Sequence, residues 1–413
     1  MRETSPAYFV GIDIGTSKVR CVVGSLDNNS DQPELSVIGY GVAENTGIRK
    51  GVIVQLDDVA AALHTSIGEA ERISGIRIEN ATVNVNGSHV AGIDSKGVIA
   101  ISNANKEISI NDKLRVEEAA SIVQLPSNRE IIQVFPKNYQ VDGHDAIKDP
   151  LGMHGVRLEV ETHMITAATS SLKSLDGVLA KAGVAASHRT VTGLAAAEVV
   201  LSRKQREAGA LVLDIGSSTT NLTVIEDGEI QHVAVIPMGG NNITNDLAIG
   251  LKVDLDIAEK VKLAHAALGE AAKNGKVSVE YEKRNYPFES EDVNLIVEAR
   301  VEEIFEYVDK ELKKIHRSQK LPGGVVIVGG TANIAGIDQF AREQLGLPAK
   351  VGSLKSINGM VETIQDLSYV PVVGLMYLDM IFSSQSFSHS SANGADSDSL
   401  ISTIKHIWQR IKP

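Results

Sequence analysis

One local pattern occurs twice in this chain and restricts its fold more than any other feature. Residues 9–24 read FVGIDIGTSKVRCVVG and residues 210–225 read ALVLDIGSSTTNLTVI. Each is an apolar strand, an Asp-Ile-Gly corner with two small hydroxyl residues, and a second apolar strand. Val10, Ile12 and Ile14 alternate with Gly11, Asp13 and Gly15, the period of a strand, which resumes over Val19–Val23. The second copy runs over Leu211–Ile215 and Asn221–Ile225. A lone turn of this kind is usually just a hairpin, but two copies point to a duplicated architecture with two facing halves. Gly15 and Gly216 allow a ligand to approach the backbone closely. Thr16, Ser17, Ser217, Ser218 and Thr219 offer hydroxyls and N–H groups to phosphate oxygens, and Lys18 can reach a phosphate from the first loop. Asp13 and Asp214 are expected to face each other across the phosphates. Two carboxylates there suit a Mg²⁺ ion that keeps several of its waters.

Three further stretches fit the same cleft. Residues 325–336, VVIVGGTANIAG, are a strand, a double-glycine turn and a helix start. Gly329, Gly330 and Thr331 in that turn can lie against a ribose or a flat ring. A second glycine pair, Gly239 and Gly240, precedes a helix through Leu251. In DIAEKVK, residues 256–262, Glu259 and Lys262 lie one turn apart on a helix, a sensible ribose and adenine contact; a solvated helix face is the plainer alternative.

Composition sets the outer limits. A chain of 413 residues is expected to form two or more domains. The single cysteine, Cys21, excludes an internal disulfide, fits a reducing compartment and reads as core on its β-branched strand. The 11 histidines show no metal-ligand spacing. The net charge of -12, without an extended basic run, disfavours nucleic acid as a partner. No signal peptide or membrane-spanning run is expected. The most apolar stretch, residues 370–382, is interrupted by Pro371 and Asp379 and reads as a buried helix.

The end of the chain has its own logic. Residues 383–398 are Ser-rich, carry little apolar content and read as a disordered linker. In LISTIKHIWQRIK, residues 400–412, Leu400, Ile401, Ile404, Ile407, Trp408 and Ile411 share one helix face. Lys405, Arg410 and Lys412 lie toward the other side, and Asp398 and Ser399 supply N-cap chemistry. Such a helix, over residues 399–413, suits an anionic membrane surface. Six apolar side chains contribute ~1.5 kcal/mol or more each. Ordering about a dozen residues costs ~1 kcal/mol apiece, and each cation adds ~1 kcal/mol. The net attraction is modest for one molecule and becomes firm for a row of them, because each bound tail raises the effective concentration of the next.

These motifs resemble the nucleotide clamps of the actin, Hsp70 and sugar-kinase superfamily, and more narrowly the FtsA family of bacterial cell-division proteins. VGIDIGTSKV (10–19) is similar to that family's first phosphate loop, DPLGMHGVRLEVETH (149–163) to a segment typical of FtsA, and VGGTA (328–332) to its adenosine loop. The resemblance implies an α/β, actin-like (ribonuclease H-like) duplicated fold around a nucleotide cleft. Its subdomains would be 1A over 1–83 and 163–208, an inserted 1C over 84–162, 2A over 209–245 and 325–382, and 2B over 246–324. Within 1C, strand-like stretches fall at 83–86, 97–101 and 131–135 and a helix at 113–124. The resemblance also implies ATP with Mg²⁺ as ligand, self-assembly into filaments, and binding of the FtsZ C-terminal tail through 2B. Arg300 and Glu303 sit where the family places tail contacts. The implied location is cytoplasmic, on the inner face of the cell membrane at the division site.

Hydrolysis needs a group that positions water. The segment joining the halves, RTVTGLAAAE over 189–198, has Thr192 near the position where hydrolysing relatives carry Glu or Gln, and Glu198 lies too far along the helix. No catalytic residue is assigned, and ATP turnover is expected to be slow or negligible. Two other readings share the clamp: a kinase for a sugar or other alcohol, which would need an additional catalytic Asp, and a pilus-assembly relative of FtsA, which leaves the terminal helix unexplained.

Overall fold

A computed structural model of the chain describes residues 8–27, 34–272, 275–354, 358–359 and 364–389. Both repeated hairpins form, and each sits inside its own sheet. In the first sheet the spatial order is Ala185–Val191, Asn80–Val85, Tyr8–Ile14, Lys18–Asp27, Glu34–Glu44 and the short Asn358–Gly359. In the second it is Glu229–Ile236, Thr220–Glu226, Ala210–Ile215, Gly324–Val328 and Ala349–Val351. Each sheet therefore has three antiparallel strands running outward from the hairpin, and parallel crossover strands on the hairpin's other side. The repeated sequence is the outward mark of this repeated topology.

The first strand alternates in sequence, yet it is buried on both faces from Phe9 to Ile14. Helix Val370–His389 packs on this strand, and helix Leu56–Ser74 packs on the neighbouring strands Lys18–Asp27 and Glu34–Glu44. Gly11 lies against the backbone of Val372 and Met376, and Gly41 against that of Ser66, so a side chain at either would collide with a helix backbone. Cys21 is buried in this core.

The last helix corrects two expectations. Residues 325–382 are expected together in the second half, but Asn358–Gly359 pairs with the first sheet and the helix from Val370 packs on it. Asp379, the charge that interrupts its apolar run, is buried and accepts from Val10 N at 3.0 Å, Thr82 Oγ1 at 2.7 Å and Ser187 Oγ at 3.0 Å. The helix also continues to His389, past residue 383 where the linker is expected to begin. Extending an existing helix costs little per residue, so polar residues can follow without ending it. Residues 390–413, including the amphipathic segment and the rest of the linker, lie outside the described residues. No described helix is long and apolar enough to cross a membrane.

A separate four-stranded sheet, in the order Ala91–Ala100, Arg157–Ala168, Arg129–Val141 and His144–Ile147, forms the inserted lobe. Helix Ile110–Ser121, capped by a reciprocal Ser109–Asp112 box, closes its small core of Ile101, Ile108, Val116, Tyr139, Leu158 and Val160. The limits differ from 84–162 at both ends. The strand expected to enter the lobe at 83–86 is the end of Asn80–Val85, which lies within the first sheet, and Arg157–Ala168 stays paired in the lobe to Ala168. Strand patterning cannot say which sheet a strand joins; its pairing partner decides that.

The lobe leans on the second sheet's outer strand. His163, buried in the lobe, has Nδ1 2.7 Å from Asp94 Oδ1, and its Nε2 accepts from Val233 N at 3.0 Å. The remaining small subdomain comprises helices Gly240–Leu251, Leu255–His265 and Ser290–Lys314 with hairpin Lys276–Tyr281/Arg284–Glu289. Val293, Val297, Ile304, Phe305, Val308 and Leu312 form its buried stripe, with Ile296 half-buried beside them.

Candidate functional site

The two glycine corners close with the same hydrogen bond. Gly15 N donates to Lys18 O at 3.1 Å, and Gly216 N donates to Thr219 O at 2.9 Å. The turns face one another across a cleft of about 770 Å³, a size suited to a nucleotide-sized ligand. Asp13, Gly15, Thr16, Ser17 and Lys18 line one wall; Asp214, Gly216, Ser217 and Thr219 line the other. Gly240, Glu259, Lys262, Gly329, Gly330 and Thr331 complete the lining.

Two expected contacts stand behind the wall. Ser218 is turned toward the following helix, where its Oγ accepts from Asn241 Nδ2 at 3.3 Å. Gly239 abuts the backbone of Gly216 and Ser217, where a Cβ would not fit. Gly240 N at 2.9 Å and Thr331 Oγ1 at 3.1 Å both donate to Gly216 O, so two distant sequence segments lock the second turn. Asn45 locks the first turn: its Nδ2 donates to Gly15 O, and its N to Ser17 O, each at 2.8 Å.

Lys262 and Glu259 do not form a solvated helix face. Lys262 Nζ is largely buried, 2.7 Å from Glu259 Oε2, and donates to Thr244 Oγ1 at 2.9 Å and Gly240 O at 3.2 Å. Lys18 stays half-exposed at the rim, 3.4 Å from Glu44.

Asp13 and Asp214 are 7% and 5% exposed. Asn84 Nδ2 donates to Asp13 Oδ1 at 2.6 Å, and Asn221 Nδ2 to Asp214 Oδ2 at 3.0 Å. Burial pushes the Asp13 carboxyl up to about 6, against the pull of Arg20 and of the Asn84 hydrogen bond. Burial, with the charge of Asp13 added, pushes Asp214 up to about 7. Two buried carboxylates that feel each other's charge make a site short of positive charge. Among the described residues no group of three His, Cys, Asp or Glu could hold a metal. The donor set thus fits a Mg²⁺ ion completed by water and phosphate oxygens, not a closed zinc site.

Several residues in the cleft wall or directly behind it carry no motif. Asp13 lies opposite Arg20, and Asp214 opposite Asn221, at the equivalent place in each hairpin. Cross-strand position was therefore the signal that would have found both. Asn84, Asn45 and Asn86 come from other segments and carry no local signature; Asn86 Nδ2 donates to Thr219 Oγ1 at 3.1 Å across the cleft. Thr192 lines the cleft and is buried, within 3.3 Å of Asn84 Nδ2. Glu198 is away from it, paired with Arg206 at 2.9 Å.

Arg300 and Glu303 are ion-paired to each other on helix Ser290–Lys314. Arg300 also grips Asp246 with Nε at 2.5 Å and Nη2 at 3.0 Å, bracing that helix against Gly240–Leu251. Leu400, Ile401, Ile404, Lys405, Ile407, Trp408, Arg410, Ile411 and Lys412 lie outside the described residues.

Comparison with known proteins places this geometry in context. A family profile described as "SHS2 domain inserted in FTSA" matches residues 87–166, and one described as "Cell division protein FtsA" matches residues 211–374. The chain is 37% identical over 372 residues to cell division protein FtsA of Bacillus subtilis, covering 89% of this chain and 82% of that protein. It is 36% identical to FtsA of Borreliella burgdorferi, covering 89% of each. Its fold is similar to a chain of a PilM-PilN type IV pilus biogenesis complex (TM-score 0.64, 16% identity, 90% of this chain and 98% of that one). It is also similar to MreB 5 of Spiroplasma citri bound to AMPPNP (TM-score 0.55, 14% identity, 94% of this chain and 100% of that one). The fold is actin-like.

Proposed function

The chain belongs to the FtsA family of cell division proteins, and from that premise we propose that it is an ATP-binding, filament-forming protein that anchors FtsZ filaments to the inner face of the cytoplasmic membrane. One observation carries the nucleotide part. Two Gly-cornered turns with the same closing hydrogen bond face each other over one cleft, each with a buried carboxylate whose proton affinity is raised. Asp13 and Asp214 would hold Mg²⁺ through its waters, and the backbone and hydroxyls of residues 15–17, 216–217 and 219 would hold phosphate oxygens. The turn at 329–331 and the Glu259–Lys262 pair would bound the adenosine. When bound, the Mg²⁺ ion would supply the positive charge the carboxylates lack, and the triphosphate a phosphoanhydride whose cleavage requires a placed water. Thr192 occupies the wall where that water would be oriented and is a weak base, and Glu198 is committed to Arg206, which supports slow turnover.

The amphipathic pattern of residues 400–412 supports the membrane part, and assembly into a filament multiplies its weak hold. Binding of an FtsZ tail remains assigned to the 246–324 subdomain. There Arg300 is already engaged with Asp246, so its part would be to keep two helices in register for the peptide. The test is co-sedimentation of full-length protein with anionic liposomes, with and without an FtsZ tail peptide. Wild type is expected to pellet and to carry the peptide, and Trp408→Glu to stay in the supernatant while still binding the peptide. Equal pelleting of the two proteins, or no peptide in the wild-type pellet, refutes the reading.

A further inference from the structure

The inserted lobe is joined to the first half by the chain and to the second half by side chains. The chain enters it from strand Asn80–Val85 through residues 86–90 and leaves it at Ala168 into helix Thr169–Ala182. On the lobe's flank, His163 meets Val233 of the second sheet. At its far end, Lys148 Nζ lies 3.2 Å from Asp227 Oδ1, in the turn before strand Glu229–Ile236. A third tie is at the root. Asn86 Nδ2 donates to Thr219 Oγ1 at 3.1 Å, and Asn86 Oδ1 accepts from Gly87 N at 2.7 Å. Thr219 is the residue whose carbonyl closes the second glycine corner. The first residue past the first sheet is thus bonded to the turn that faces that sheet across the cleft.

The root has little room of its own. Gly87 has φ +126°, and a Cβ there would collide with Gly51 O. A Cβ on Gly51 would in turn meet the Gly87 backbone and stand 3.1 Å from Thr219 Cγ2. The root is therefore wedged between the turn at Gly51 in the first half and Thr219 in the second. Val90 N donates to Gly87 O at 3.0 Å, and Arg129 Nη2 to His89 O at 3.0 Å. Arg129 Nε donates to Thr166 Oγ1 at 3.1 Å, and Thr166 Oγ1 to Ala91 O at 3.2 Å. The entering and leaving strands of the lobe are stapled to each other, so a shift at Asn86 carries both.

We propose that Asn86 couples the inserted lobe to the occupancy of the cleft: when ligand phosphates hold residues 216–219, Thr219 holds Asn86, and Asn86 holds the root of the lobe. This coupling rests on the nucleotide reading above and adds to it the part of the molecule that responds. It requires no contact between Asn86 and the ligand. Hydrogen bonds in one chain strengthen each other. Linkage makes the effect reciprocal: the factor by which ATP tightens the tie is the factor by which the tie tightens ATP. One neutral hydrogen bond limits that factor to about twofold to tenfold.

The experiment uses full-length protein, Mg²⁺ and ATP, with affinity from calorimetric titration and hydrogen–deuterium exchange followed over residues 86–91. In the wild type, ATP is expected to slow exchange there by about twofold to tenfold. Asn86→Ala should lose the slowing and bind ATP more weakly by no more than that same factor. Should Asn86→Ala not fold, Asn86→Ser decides the matter, since it stays polar and is too short to reach Thr219. Lys148→Ala cuts the tie at the far end of the lobe and should keep the slowing. Wild-type protein that binds ATP without slowing at 86–91, or an Asn86 variant that keeps the slowing, overturns the coupling and leaves the nucleotide reading standing. Loss of the slowing in Lys148→Ala also overturns it, because the far contact would then carry the response. An affinity loss well beyond tenfold in Asn86→Ala would make Asn86 a ligand contact and overturn its role as a tie. Wild-type protein that binds no ATP overturns this proposal and the nucleotide reading together.

Discussion

Removing one charge from the cleft should stabilise the empty protein while destroying its ligand site, and Asp214→Asn is the substitution that separates the two effects. Asp214 is fully enclosed, with burial first and the Asp13 charge second in holding its carboxyl up to about 7, against 3.8 for a free side chain. Between those values the native state keeps a proton that the unfolded chain has released. Stability therefore falls as pH rises from about 4 to about 7, and is flat above that. The full difference amounts to about 4 kcal/mol for a shift of this size. Asparagine keeps the shape of the acid, can still accept from Asn221, and has no charge to desolvate. Without nucleotide, Asp214→Asn is expected to exceed wild type by about 2–4 kcal/mol at pH 8, the gap closing toward pH 4. Urea unfolding of both proteins between pH 4 and 8 measures it, and titration with Mg²⁺ and ATP at pH 8 should show binding lost in the variant. A gap that does not change with pH, or a variant less stable than wild type at pH 8, would refute the view that this carboxylate is held under electrostatic strain.

Other outcomes follow from single contacts. Gly329 has φ +87°, and a Cβ there would stand 2.5 Å from Asp214 Oδ1 and 2.6 Å from Ile215 O; Gly329→Ala is expected to cost about 2 kcal/mol or more in unfolding experiments and to abolish ATP binding. His163 is kept neutral, its proton affinity lowered chiefly by burial, so that Nε2 can accept from Val233 N. His163→Ala should cost about 1–3 kcal/mol and speed amide exchange at Val233, and unchanged exchange there would show that the lobe is held by other contacts. Purified protein with Mg²⁺ and ATP should release phosphate more slowly than about 1 s⁻¹, the low end of ordinary enzymes; a faster steady rate would mean a water-positioning group beyond Thr192.

What could be read from the sequence was local. The two Asp-Ile-Gly corners and the glycine pairs at 239–240 and 329–330 each depend on residues a few positions apart. The chain's own turn chemistry and periodicity determine them, and the tail's amphipathic pattern at 400–412 belongs to the same class. Arg20 and Asn221 were within reach, since a short hairpin turn brings each opposite its aspartate.

The rest was decided by contacts between distant segments. Nothing near Asn84 announces that it will hold Asp13, and nothing near Asp379 announces that it will accept from Val10, Thr82 and Ser187 and so bring the last helix back to the first sheet. Strand Asn80–Val85 reads as easily as part of the inserted lobe until its parallel partners in the first sheet are known. The raised proton affinities of Asp13 and Asp214 likewise have no counterpart in the linear chain. They arise only when folding removes water from both carboxylates and sets them within reach of each other's charge.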